Sequence, residues 1–221
     1  MNLLKILQKL ASQTISFVAD LLVPERDSLQ RILKIDKSEL RSLLPKSPTA
    51  IKDITVLFDY RNKIIKLLVK TLKYYNNLNV RKILASYLYE EMIEISSDIS
   101  LFDGATPILV PMPMSKVEKS KKGFNQCEEL CREIEKISGQ NIKVSYDALK
   151  KIKETKRQTS LDREARLLNV QGSMIADGQI VKNQVVIVLD DVYTTLATFS
   201  EARRALLASH AKRVLGIFLA H

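Results

Sequence analysis

The sequence predicts an α/β fold, a parallel β-sheet flanked by helices and preceded by an N-terminal helical segment. Three observations predict it. From Asp103 onward, short apolar runs of strand length alternate with amphipathic helical stretches, the order that builds parallel sheets. One run, "VVIVLD" (185–190), is apolar on both faces, as the middle strand of such a sheet requires. Before Asp103 the apolar residues recur at helical spacing instead.

The elements follow in order. Residues from Leu3 to about Leu44 read as short helices, broken near Pro24 and closed by the linker "LLPKSPTA". At the start, Leu3, Leu4, Leu7, Leu10, Phe17, Val18, Leu21 and Leu22 are interrupted by Lys9, Gln13 and Asp20. That pattern predicts an amphipathic helix rather than an export signal, and no run has the apolar length of a membrane span. Ser38 is the expected N-cap of "SELRSLL". The expected organisation is a helical segment over 1–52 and a second domain over 53–221, itself a helical lead-in (53–102) and an α/β core (103–221).

Within the lead-in, Lys63, Lys66, Lys70 and Lys73 fall in one helical stripe, opposite Ile64, Ile65, Leu68 and Leu72. No acid occurs between Tyr60 and Tyr89. The stripe reads either as a solvated helix face or as a surface for an anionic partner such as nucleic acid. "NNLN" then turns the chain into a second helix. In the core, "TPILVPMP" is a strand ending in prolines, and "GFNQCEELCREIEKIS" a helix stopped by Gly139. "NIKVSYDALKKIK" holds one or two strands, and "SLDREARLLNVQG" a loop with a short helix ending near Gly172. "TFSEARRALLASH" is a helix and "KRVLGIFLAH" the last strand.

Composition removes several chemistries. The 221 residues include only two cysteines, Cys127 and Cys131, which excludes a disulfide framework and a four-thiolate zinc site. They read as buried thiols of a protein in a reducing cytoplasm. His210 and His221 are the only histidines, so no Ser/His/Asp or Cys/His constellation is available. The net charge of +10 favours anionic partners.

The strand "VVIVLD" runs directly into "DVYTTLAT", the place where open α/β sheets bind ligands. Amides entering the next helix favour a phosphate, and Thr194, Thr195 and Thr198 add hydroxyl donors. Asp190 and Asp191 repel a phosphate but suit the vicinal hydroxyls of a sugar, or a hydrated Mg²⁺. Together these groups describe a phosphoribose site. The other reading of the same residues is helix capping by aspartates and threonines alone.

"VIVLDDVYTTLAT" resembles the phosphoribosyl pyrophosphate signature of type I phosphoribosyltransferases, and the chain more narrowly resembles the ComF family of competence-associated phosphoribosyltransferase-like proteins. "VPMPMSKVEKSKKGFNQCEEL" is similar to that family's Val-Pro-x-Pro segment with its basic-Gly-Phe-Asn-Gln element. "TKRQTSLDREARLLNVQGSM" is similar to its Thr-Lys-x-Gln…Arg-x-x-Asn-Val-x-Gly segment, and "FDYRNKIIKLLVKTLKYY" to its Tyr…Leu-Lys-Tyr helix. The resemblance covers roughly Phe58 to His221, with the motifs in order.

The resemblance implies a type I phosphoribosyltransferase-like sheet and the following roles. Asp190 and Asp191 would bind the ribose hydroxyls, directly or through Mg²⁺. Thr194, Thr195, Leu196, Ala197 and Thr198 would form the 5′-phosphate loop. Lys121, Lys122 and Gly123 would lie near pyrophosphate, and Lys156, Arg157 and Arg166 in a segment that closes over the reaction centre. The implied ligand is phosphoribosyl pyrophosphate or a ribose 5-phosphate-like molecule. The alternative, motivated by the Lys63–Lys73 stripe, the +10 charge and Leu196, is a catalytically degenerate member that acts in DNA uptake as a nucleic-acid or protein adaptor, with single-stranded DNA or proteins of the competence machinery as partners.

Two departures stand out. The family's N-terminal zinc ribbon is replaced by "LLVPERDSLQRILKIDKSELRSLLP", which has no Cys, so no zinc is expected. Leu196 stands where the signature usually carries Gly. If the family's glycine needs φ > 0 here, or a Cβ would meet the phosphate, leucine weakens or abolishes binding; with negative φ only a side chain pointing away is added, and binding survives. Retained binding is the expectation, because both acids and all three threonines remain.

Overall fold

The sheet is built outward from the most apolar run. Val185–Val192 forms a strand (β6) whose residues Val185 to Leu189 are wholly inaccessible to solvent, so both of its faces are covered. Burial of each such side chain contributes about 1.5–3 kcal/mol before entropy is counted. In this computed structural model, which describes residues 26–139, 141–155, 169–193 and 196–221, β6 is the middle strand of five. The others are β1 (Ile54–Phe58), β2 (Ile108–Pro111), β3 (Lys143–Val144) and β7 (Arg213–Ala220), in the order β1-β7-β6-β2-β3. Every neighbouring pair is parallel, with Leu189 opposite Pro111 on one side and Ile217 on the other. The α/β expectation is met in this flanked parallel sheet. A two-stranded antiparallel sheet joins β4 (Leu149–Lys151) to β5 (Met174–Ala176).

The chain divides into two compact units, Met1–Leu43 and Leu44–His221. Of the first, the described part is helix α1 (Arg26–Ile32) and helix α2 (Lys37–Leu43). Asp36, not Ser38, caps α2: the cap lies two residues earlier than expected, and the Asp36 carboxylate accepts the Ser38 N–H at 2.9 Å. The expected amphipathic helix at the N-terminus and the short helix within "SLDREARLL" lie outside the described residues.

In the second unit the expected helical lead-in opens on a strand. "ITVLF" pairs with β7 along the sheet edge, a contact with a segment some 160 residues away that local pattern does not reveal. Helix α3 (Lys63–Tyr75) follows, then α4 (Leu78–Asp103). The "NN" of "YYNNLN" separates them: Asn76 takes the left-handed conformation that ends α3, at φ 47°. Asn77 caps α4 by accepting from Asn79 N–H and Val80 N–H at 3.0 and 3.1 Å. The remaining helices are α5 (Lys116–Lys122), α6 (Gln126–Ser138), α7 (Gly178–Val181) and α8 (Ala197–Ala208). Helix α6 packs on α4, β2 and β6, and α8 on β7 and the small sheet. No helix among the described residues is long and apolar enough to cross a membrane.

Gly216 in β7 marks the tightest packing. A Cβ there would lie 2.8 Å from ring carbons of Phe199 and Phe218, two rings already packed edge to face. Gly216→Ala is expected to lower unfolding stability by about 1–3 kcal/mol, as overpacking does, measured as a shift in the denaturant midpoint. An unchanged midpoint would show that the rings have room to move.

Candidate functional site

Because the sheet is parallel, β1, β2, β6 and β7 all end on one edge. Backbone bonds stitch these exits together: Met112 N–H donates to Leu189 O, Tyr193 N–H to Ala220 O, and Tyr60 N–H to His221 O, each at 2.8 Å. Asp190 and Asp191 sit at the exit of β6, half-buried and buried respectively.

Two helices converge on this pair. Asn125 is 2% exposed and fixes the start of α6: its Oδ1 accepts the Cys127 N–H and its Nδ2 donates to Met112 O, both at 2.9 Å. That anchor, tied to the exit of β2, places the next two residues on the acids. Gln126 Nε2 donates to Asp191 Oδ2 at 2.6 Å, and the Cys127 thiol to Asp190 Oδ1 at 3.7 Å. The Lys122 ammonium donates to Gln126 Oε1 and lies 4.7 Å from the centroid of the Phe124 ring.

The second helix is α3. It starts at Asn62, whose Oδ1 accepts Ile64 N–H and Ile65 N–H at 2.8 and 3.2 Å, four residues beyond β1. It ends with Lys73 Nζ 3.1 Å from Asp191 Oδ1. Two strand spacings, roughly 10 Å, separate β1 from β6, and ten residues of helix rise about 15 Å. Helix α3 is therefore long enough to span from the exit of β1 to that of β6, and it delivers Lys73 to the acids.

Asp190 Oδ1 also accepts the Asp191 N–H at 2.8 Å. Burial, and then the adjacent Asp191 charge, push the Asp190 carboxyl up to about 7, against the pull of the Asp191 N–H and Lys73. Burial is the strongest single influence on Lys73 and works against its charge, but Asp191, Asp190 and Tyr60 acting together hold the ammonium above its ordinary value. Burial lowers Lys122, with Asp191 acting in the opposite sense. Burial, and then the two acids, push the Cys127 thiol well up, so it serves as a donor and not as a thiolate.

Mg²⁺ is bound by one or two carboxylates, with water and substrate phosphates completing its shell. Adjacent carboxylates at one edge offer that partial donor set. Among the described residues no group of three or more His, Cys, Asp or Glu side chains is placed to hold a metal, and the two acids would supply only part of a cation's shell.

Of the expected phosphate loop, Thr194 and Thr195 lie outside the described residues, as do Lys156, Arg157 and Arg166 of the expected closing segment. Ala197 is buried and Thr198 half-buried in the first turn of α8. Leu196 precedes that turn at φ 60°, ψ −4°, with no side-chain cap, and its carbonyl accepts the Ser200 N–H at 2.7 Å. This is the left-handed conformation, the branch on which leucine disfavours the loop and glycine would not. Among the described residues the partners of the two aspartates are on α3 and α6 and in their own backbone. Lys121 is exposed, and Gly123 ends α5 at φ 84°.

The lysine stripe divides. Lys63, Lys66 and Lys70 are exposed, whereas Lys73 turns to Asp191 and leaves the expected nucleic-acid face. Its ion pair, Gln126 and Cys127 are the site features that sequence reasoning missed. The signal for two of them was the Asn-Gln-Cys run itself, a capping residue followed by two side chains at a helix start.

The backbone at Leu196 makes a stability prediction. Leu196→Gly is expected to be neutral or stabilising by up to about 1 kcal/mol, because relief of the left-handed strain offsets glycine's extra chain entropy. Leu196→Val is expected to cost about 1 kcal/mol or more, since branching at Cβ worsens the same conformation. Thermal unfolding of the two variants checks this; a valine variant as stable as the glycine one would contradict it.

No protein-family model matches the chain. No curated protein matches it. Among solved structures, the chain is similar to a mutant hypoxanthine phosphoribosyltransferase from Trypanosoma cruzi complexed with the product IMP. The identity is 12%, 62% of this chain and 64% of that one are covered, and the TM-score is 0.38. It is also similar to hypoxanthine-guanine phosphoribosyltransferase of L. donovani, at 14% identity, covering 62% of this chain and 71% of that one, with a TM-score of 0.38. The match thus spans just under two thirds of the length of the T. cruzi enzyme.

Proposed function

We propose that the chain is a ComF-like phosphoribosyltransferase, which binds phosphoribosyl pyrophosphate with Mg²⁺ at the exit of β6 and transfers the phosphoribosyl group to a nucleophile. The observation that carries the reading is the Asp190–Asp191 pair at the end of the central parallel strand, bracketed by lysines and followed at once by the loop into α8. Ligands of open parallel sheets bind at this edge. The ordered ComF-like motifs, from "FDYRNK" to the Asp-Asp turn, support the narrower assignment.

In this reading the acids accept the ribose hydroxyls. The amides opening α8, with Thr194, Thr195 and Thr198, take the 5′-phosphate. Lys121 and Lys122 set positive charge beside pyrophosphate, and Lys156, Arg157 and Arg166 belong to the segment that closes over the centre and excludes water. The bond from ribose C1 to the pyrophosphate oxygen breaks, with its electron pair leaving on pyrophosphate, and the lone pair of the nucleophile forms the new bond at C1. Mg²⁺, when bound between Asp190, Asp191 and the ligand, would supply charge neutralisation for the leaving group.

Phosphoribosyl pyrophosphate with Mg²⁺ is expected to raise the melting temperature by about 5 °C or more at a hundredfold excess over Kd. Asp190→Asn combined with Asp191→Asn removes the shift, and Leu196→Gly enlarges it. No shift at millimolar ligand would overturn the proposal.

A second reading, a non-catalytic protein of this fold that binds single-stranded DNA, draws on α3. Lys63, Lys66 and Lys70 are exposed there, and Tyr74 and Tyr75 are 71% and 58% exposed at its end, a charged track beside aromatic faces. It predicts salt-sensitive binding to single-stranded DNA that Lys66→Glu with Lys70→Glu weakens at least tenfold, in fluorescence anisotropy. Unchanged affinity in that variant would remove α3 as the binding face.

A further inference from the structure

We infer that Lys73 is a built-in counter-ion that keeps a divalent cation off the acid pair until a diphosphate-bearing ligand arrives, so that cation and ligand enter together. The inference rests on the phosphoribose reading for the identity of the ligand, and on geometry for the rest.

Both oxygens of Asp191 are already taken. Oδ1 faces Lys73 Nζ at 3.1 Å, and Oδ2 accepts Gln126 Nε2 at 2.6 Å. Gln126 is held in place, because the residue before it is anchored to Met112 O and Lys122 donates to its Oε1. Lys73 is different in kind. The Asp191 side chain is 7% exposed while that of Lys73 is 30% exposed, on a flexible four-carbon stem at the end of α3. Of the two partners of Asp191, Lys73 is the charged one on a long flexible stem, so it is the one placed to swing toward an incoming anion.

A lone divalent cation approaching Asp191 meets an ammonium at the oxygen it needs. Two positive charges then compete for one carboxylate that is shielded from water, where charge repulsion is screened little. A diphosphate removes the conflict by offering Lys73 another anionic acceptor beside the acids. Released to it, the ammonium binds the anion and vacates Oδ1 for the cation or for a ribose hydroxyl. The same side chain thus excludes the cation in the free protein and attracts the anion during binding.

The test uses Mn²⁺, a spectroscopically visible substitute for Mg²⁺, with its binding to the full chain followed by electron paramagnetic resonance. Without any anion, Lys73→Met is expected to bind Mn²⁺ about tenfold or more tightly than the wild type. Lys73→Arg stays weak because it keeps the charge, and Asp191→Asn added to Lys73→Met abolishes the gain. Equal or weaker binding by Lys73→Met would overturn the inference. If circular dichroism shows that this variant does not fold, the wild type decides. Micromolar Mn²⁺ binding in the absence of anion overturns the inference, and protein-bound Mn²⁺ that appears only with added inorganic pyrophosphate supports it. A wild type that ignores phosphoribosyl pyrophosphate, beside a Lys73→Met variant that gains Mn²⁺, would reject the proposed transferase and leave the counter-ion role standing.

Discussion

Two carboxylates on consecutive residues end a strand whose preceding five residues are sealed from water. Burial and then the neighbouring Asp191 charge raise the cost of ionising Asp190, and the surroundings must supply compensation. Much of the molecule around β6 is arranged to do so. Helix α6 brings an amide and a thiol, helix α3 brings an ammonium, and the backbone of Asp191 itself donates to Asp190. The compensation is incomplete at Asp190, whose carboxyl is pushed up to about 7.

The frame that makes this possible is set by four asparagines. Asn62 opens α3 beside the exit of β1, Asn76 and Asn77 end it and start α4 without an intervening residue, and Asn125 ties the start of α6 to Met112. Asn62, Asn77 and Asn125 accept backbone N–H groups that a helix start leaves unpaired, and Asn76 supplies the left-handed residue that stops α3. Lys73 reaches Asp191 because α3 has a defined start, length and stop. Gln126 reaches it because the residue before it cannot shift. The counter-ion role and the proposed ligand site thus depend on the same caps.

Much of this was legible locally. Strands β2, β6 and β7, helix α6 with its stop at Gly139, and the acids at the exit of β6 all follow from short apolar runs and capping residues. Strand β1 was not legible, because "ITVLF" becomes a strand only by pairing with β7 at the far end of the chain. Lys73 was misread for a related reason. Seven residues from Lys66, it differs by only about 20° around the helix, so periodicity places both in one stripe. Their difference lies along the axis: two turns on, α3 meets the exit of β6, and an exposed angle becomes an ion pair. At Leu196 the sequence framed the alternatives, and the backbone at φ 60° selects between them.

In the proposed reading the acid pair is a ligand site whose internal counter-ion gives way. A crystal structure with phosphoribosyl pyrophosphate and Mg²⁺ tests it most directly. The account predicts a ribose on Asp190 and Asp191, with Lys73 Nζ moved from Asp191 to a phosphate oxygen. A ligand bound elsewhere, or a ribose on the acids with the Lys73–Asp191 pair still intact, would contradict it.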